Sequence, residues 1–211
     1  FDDEFQLLSD ASLGAAQGGF SAASSLAATG DRLTAVWDVI PTGTSQPSMV
    51  ALSQGTAPLV STQMLNAVTS SRPRVATVGD HFAIAYRDGS TPSPSIRYEE
   101  RAADGSVLCT APEIASLASD VGPQAIATFS GGSFVAFATY NDGTSFGAVR
   151  LVRLADCQVQ DELEISTAEL DPAAQSVAVA QGDTSYAVVW ARGKGSNRLL
   201  QVRAFGLNFC D

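Results

Sequence analysis

From Pro73 to Cys109 short apolar runs alternate with turn-forming pairs, and this stretch shows in one piece a unit that the chain repeats. Val75 to Val78 predicts a short strand, Gly79-Asp80 a tight turn, and Phe82 to Tyr86 a second strand built of β-forming and small residues. Asp88-Gly89 ends that strand, and a Ser/Thr/Pro loop from Ser90 to Ser95 leads to a third, Ile96 to Arg101. An Asp104-Gly105 hairpin turn then opens a fourth strand at Val107, which completes a four-stranded antiparallel meander.

The first strand recurs as Leu26-Ala27, Val75-Ala76, Ile126-Ala127 and Val177-Ala178, with the alanines 49, 51 and 51 residues apart. The turns that follow read Gly30-Asp31, Gly79-Asp80, Gly131-Gly132 and Gly182-Asp183, and the second strands end at Trp37, Tyr86, Ala138 and Trp190. VRLAD at Val152 to Asp156 and VRAFG at Val202 to Gly206 repeat the third strand, and SMVALSQG is its most divergent copy. Four strands per unit of about 50 residues are the period of a β-propeller blade. First and second strands are apolar at both alternating positions, as buried strands between neighbouring blades should be, whereas third and fourth strands carry charge and are expected to reach water.

The expected fold is therefore all-β, a four-bladed β-propeller in a single domain spanning residues 1–211. Its blades run over about 18–66, 67–118, 119–169 and 170–211. The fourth copy stops at Cys210-Asp211 where an outer strand should begin, while Phe5 to Leu8 reads as a strand with no partner. Residues 3–9 are thus expected to supply the outer strand of the last blade, closing the ring and covering its edge.

The Gly-Asp turn, the apolar strand ending in Trp or Tyr and the Arg-containing strand with an Asp-Gly turn resemble the degenerate repeats of secreted bacterial β-propeller proteins. That resemblance implies a fold and an extracellular setting, secreted or cell-surface, and no particular function. The third copy departs from the pattern, with Ala138 in the aromatic position and Cys157 replacing the turn glycine.

A net charge of −10 argues against nucleic acid as a partner, because no basic patch is present to neutralise phosphates. No apolar run is long enough for membrane insertion. Cysteine spacing shows no metal motif and no cofactor signature, so neither is expected. Cys109 and Cys157 fall near third-to-fourth strand hairpins of adjacent blades and are candidates for a disulfide, with Cys210 left over. His81, the one histidine, reads as a solvated turn residue, and a single histidine leaves little material for a metal site or a catalytic triad.

Glu99 and Glu100 point to opposite faces of a strand, and Glu162 and Glu164 share a face on an outer strand, so neither pair converges as an acid and a base. No catalytic residue is assigned on this basis. In a meander blade the second-to-third strand loops and the loops between blades emerge on one rim, and these loops are long and diverse. Candidate binding residues on that rim are Asp38, Arg87, Asp88, Asn141, Asp142, Arg192 and Lys194, and Ser24, Arg74, Gln124 and Gln175 lie around the axial mouth. The expected function is a non-catalytic extracellular binding module for a protein or glycan partner. The alternatives are a lectin or carbohydrate-active enzyme using the axial mouth, and a structural subunit of a larger surface complex.

Overall fold

The computed structural model describes residues 19–30, 32–41, 49–54, 57–65, 70–89, 94–116, 121–140, 146–166, 176–192 and 199–206. The segments carrying Asn141, Asp142, Gln175, Lys194 and the expected closing strand at 3–9 lie outside the described residues. Among the described residues, fifteen strands form four antiparallel meanders. The first holds β1 (Gly19–Thr29), β2 (Arg32–Pro41), β3 (Met49–Gln54) and β4 (Ala57–Met64). The second holds β5 (Ser70–Val78), β6 (His81–Asp88), β7 (Ser95–Arg101) and β8 (Val107–Ser116). β9 (Val121–Phe129), β10 (Gly132–Tyr140), β11 (Phe146–Ala155) and β12 (Gln158–Ser166) form the third. The fourth has three strands among the described residues, β13 (Val177–Gln181), β14 (Ser185–Arg192) and β15 (Leu199–Gly206).

The leading strands stack in chain order, β1 on β5, β5 on β9 and β9 on β13, which is the side-by-side packing of propeller-like blades. Hydroxyl side chains stitch the first contact: Val75 N donates to Ser25 Oγ at 3.2 Å, Thr77 Oγ1 to the Ala28 carbonyl at 2.8 Å, and Thr29 Oγ1 to the Gly79 carbonyl at 3.1 Å. Each interface encloses its own apolar core. Val36, Leu65, Val75, Phe82, Ile84 and Tyr86 fill the first, and Ala85, Ile96, Tyr98, Val135, Phe137 and Leu154 are central to the second. In the third, Phe129, Phe134, Tyr186 and Phe205 form a run of ring contacts with centroids 4.8, 4.4 and 5.1 Å apart.

Strand register corrects two readings of the repeat. Gly132 pairs with Phe129, so the third turn is Ser130-Gly131, and Phe137 rather than Ala138 stands level with Trp37 and Tyr86. Phe137 packs toward the preceding sheet as Tyr86 does, whereas Ala138 faces the following one. Gly131 serves the turn, with φ 98°, and Gly132 serves close packing, because a Cβ there would stand 2.0 Å from the Leu154 carbonyl oxygen. In the fourth sheet Gln181 pairs with Tyr186, so Gly182-Asp183 opens a four-residue loop instead of making a two-residue turn.

A third correction concerns charge. The charged strand β7 was expected to reach water, yet Glu99, Glu100 and Arg101 are all buried. Burial is tolerated because the charges pair: Arg101 Nε donates to Glu99 Oε1 at 2.6 Å, and its guanidinium reaches the Gly105 carbonyl at 3.2 Å. The outermost strand β12 does follow expectation, with exposed Glu162 and Glu164 at 2.6 and 3.5 Å from Arg150.

Candidate functional site

At the end where the leading strands enter their sheets, the register breaks in each of the first three, one position further from the turn in the third than in the first two. The skipped residues are 23–24 in β1, 72–73 in β5 and 122–123 in β9, opposite Trp37, Tyr86 and Ala138. A bulge of this kind bends the strand and re-aims its side chains. The second bulge, in β5, contains Arg72 and Pro73. Arg72 sits at φ 54°, a left-handed conformation rare for a residue with a Cβ and further disfavoured before Pro73.

The Arg72 peptide is clamped from both neighbouring sheets. Its N–H donates to Asp38 of β2, with both carboxylate oxygens at 2.8 Å, and its carbonyl accepts from Gln124 Nε2 of β9. Asp38 and Gln124 are buried, and the side chain of Arg72 is exposed. Gln124 Oε1 is buried with no hydrogen-bond partner among the described residues, an arrangement that ordinarily marks a place for water or a ligand group. A strained, doubly clamped residue with an exposed guanidinium is the strongest functional feature at this end of the described sheets.

Other candidates fall in three groups. Arg74 is half-buried and donates to the neighbouring Pro73 carbonyl at 2.9 Å, and Arg87 is half-buried on β6, paired in register with Ser71. Asp88 is fully buried and ion-paired with Arg97, so it is part of the interior rather than the rim. Ser24 and Arg192 lie on described backbone at β1 and β14. Tyr86, beneath this end, has its phenol held far above the ordinary tyrosine range, first by burial and then by the Glu99 carboxylate.

Sequence reasoning placed Arg74 at the mouth and missed Arg72. The alternation of a strand puts residues 72 and 74 on one face, and only the bulge separates an exposed side chain from a half-buried one. An Arg-Pro pair at the head of a predicted strand is the local signal for such a bulge.

His81 lies at the other end of the sheets, after the Gly79-Asp80 turn. It is more than a solvated turn residue: Nε2 is 3.2 Å from the buried Glu100 and Nδ1 is 3.3 Å from Asp80. Close by, Cys109 on β8 and Cys157 in the β11–β12 turn are joined in a disulfide that ties the second sheet to the third.

No protein-family profile matches the chain, and no curated protein sequence matches it. Solved structures do. A subtype N10 neuraminidase-like protein of A/little yellow-shouldered bat/Guatemala/060/2010 superposes with a TM-score of 0.62 at 11% identity, over 91% of this chain and 58% of that one. The catalytic domain of Coprinopsis cinerea GH62 α-L-arabinofuranosidase gives 0.54 at 11% identity over 89% of this chain and 64% of that one. A thermostable family-43 glycoside hydrolase gives 0.56 at 8% identity, covering 89% and 70%. At such identities the likeness is one of fold, and the fold is propeller-like. The chain spans 58% and 54% of the lengths of two neuraminidase-like neighbours.

Proposed function

We propose that the strand-entry end of the second and third sheets binds a carbohydrate that carries a carboxylate, with Arg72 as its main contact. The observation that carries this reading is the exposed Arg72 on a backbone held by Asp38 and Gln124. A guanidinium offers two parallel donors to a carboxylate, and the clamped backbone fixes the point from which its stem projects. The buried acceptor of Gln124 beside it suits a sugar hydroxyl. Neighbours named as glycoside hydrolases and neuraminidase-like proteins support a carbohydrate partner over a protein partner.

Binding, not turnover, is the activity assigned. The described carboxylates at this end, Asp38 and Asp88, are already held by the Arg72 N–H and by Arg97, and an acid and base pair needs groups able to exchange protons with substrate. Calorimetric titration with uronic-acid oligosaccharides and their neutral counterparts tests the reading. Binding of the acidic series, lost in Arg72→Ala and weakened in Arg72→Lys, is the expected result. Equal affinity for neutral sugars, or no binding to either series, would overturn it, and release of reducing sugar would turn the assignment toward catalysis.

The architecture proposed around this site is a single four-bladed ring in which residues 3–9 form the outer strand of the last blade. Two observations support it. The fourth sheet has three strands among the described residues, and the first and fourth sheets leave Leu26 and Leu33, and Leu200 and Val202, exposed, which closure would cover. A secreted or cell-surface location is proposed with it, since a disulfide between blades persists in an oxidising compartment.

A further inference from the structure

We propose that Cys109, Cys157, Glu100 and His81 form a tetrahedral site for zinc or a similar thiophilic divalent cation when the disulfide between the two cysteines is reduced. The site lies at the turn end of the second and third sheets, away from Arg72. Glu100 Oε2, Cys109 Sγ and Cys157 Sγ all lie within 4.8 Å of one another. The same oxygen that faces Cys109 Sγ at 3.7 Å lies 3.2 Å from His81 Nε2. With ordinary zinc bond lengths, the edges of a tetrahedron are about 3.3 Å from oxygen to nitrogen, about 3.5 Å from oxygen to sulfur and about 3.8 Å between sulfurs. Two of the six edges of such a tetrahedron, from Oε2 to His81 Nε2 and from Oε2 to Cys109 Sγ, are already near those lengths. Reduction of the disulfide lets the two sulfurs part to a non-bonded contact, and the remaining edges require the His81 ring and Cys157 to close in on the cation.

The groups behind the four ligands are those a metal site requires. His81 Nδ1 is turned to Asp80 Oδ1 at 3.3 Å, which leaves Nε2 as the ligating nitrogen. Glu100 Oε1 accepts from the Tyr98 hydroxyl at 2.5 Å, and that hydroxyl is in turn 2.9 Å from Ser133 Oγ. Oε1 is thus occupied, and Oε2 is the oxygen presented to the sulfurs. Glu100, Tyr98, Ser133 and Cys157 are buried, whereas His81 is 23% exposed and offers the way in. Two sulfurs, an imidazole and one carboxylate oxygen form a donor set that suits zinc better than calcium or magnesium.

The redox step balances as follows. A phosphine reductant gives two electrons to the Cys109–Cys157 bond and takes oxygen from water to become the phosphine oxide, leaving two thiols. The cation then displaces both thiol protons to solvent. No local motif announces the site, because its ligands come from three strands, β6, β7 and β8, and the hairpin of a neighbouring sheet.

Cobalt(II) is the probe, used on the full chain carrying Cys210→Ser so that the remaining thiols are the two in question. After phosphine reduction, one equivalent should bind with the intense visible absorption of tetrahedral thiolate-ligated cobalt and be displaced by zinc, whereas the oxidised chain should take up none. His81→Ala and Glu100→Gln should each weaken cobalt binding at least about tenfold and shift the visible band. A reduced chain that keeps its β-sheet circular dichroism and binds no cobalt would overturn the proposal, as would cobalt binding indifferent to both substitutions. If reduction alone unfolds the chain, recovery of the sheet signal on adding zinc supports the site, and failure to recover it refutes it.

Discussion

Phe137 shows how much a single register position decides. In the primary structure it stands one place before the last residue of an apolar run, yet pairing puts it level with Tyr86 and fully buries it against the second sheet. Phe137→Ala should cost about 3–5 kcal/mol in a denaturation experiment, while Ala138→Gly, on the other face, should cost only about 1 kcal/mol. The buried phenols report on the same interiors from the side of pH. Burial and then the Glu100 hydrogen bond raise Tyr98 beyond the ordinary range, and Tyr186 is pushed up by burial to about 12 from 10.0. Below about pH 10 both the folded and unfolded chains keep these protons. Above that the unfolded chain releases them first, so stability should fall as pH rises through the folded values. Spectrophotometric titration should show these tyrosines ionising late and together with loss of sheet structure, and ordinary free-tyrosine titration of the folded chain would contradict this.

At the level of the strand, the bulge is the repeated device that matters, because in β5 it brings the backbone of Arg72 between Asp38 and Gln124 of the neighbouring sheets. Its second copy places strain and support on different residues. Arg72→Gly removes the left-handed penalty and should raise or preserve the melting temperature, a gain of about 1 kcal/mol, while abolishing acidic-sugar binding. Asp38→Ala leaves the Arg72 N–H without its acceptor and should cost about 1–3 kcal/mol with binding also reduced. Loss of stability in the first variant would show that the side chain of Arg72 itself holds the bulge. The Asp156-Cys157 turn is a second local device. Both residues have positive φ, 50° and 56°, as a two-residue hairpin loop of the mirror-image type demands, and this puts the Cys157 sulfur within reach of β8.

Across the whole molecule, one covalent link and one set of open faces govern how the sheets hold together. The disulfide closes a span of 48 residues, for which chain-entropy arguments give about 4 kcal/mol of stability. Replacing Cys109 and Cys157 together by Ser should lower the denaturation midpoint accordingly, and an unchanged midpoint would mean that packing between the second and third sheets suffices. Ring closure predicts a separate effect. Deleting residues 1–9, or introducing Leu26→Asp, should destabilise the chain by about 1–3 kcal/mol and increase binding of a hydrophobic dye, through exposure of faces that the closed ring covers. If neither change alters melting, the exposed faces of the first and fourth sheets do not meet.

Period, turns and apolar runs were enough to read from the amino-acid order an all-β chain of repeated antiparallel meanders, because two-residue alternation and glycine-bearing turns are local properties of the backbone. They also singled out Gln124 and the pairing of Cys109 with Cys157, while reading His81 as a solvated turn residue. Tertiary structure alone decided that β7 buries its charges, that Phe137 rather than Ala138 packs against the second sheet, that Arg72 is exposed and Arg74 half-buried where β5 enters its sheet, and that His81 meets Glu100 beside the sulfurs of Cys109 and Cys157. Each of these depends on which sheet lies against which and on one-residue shifts of register. Such contacts join residues tens of positions apart, and no pattern within a single strand encodes them.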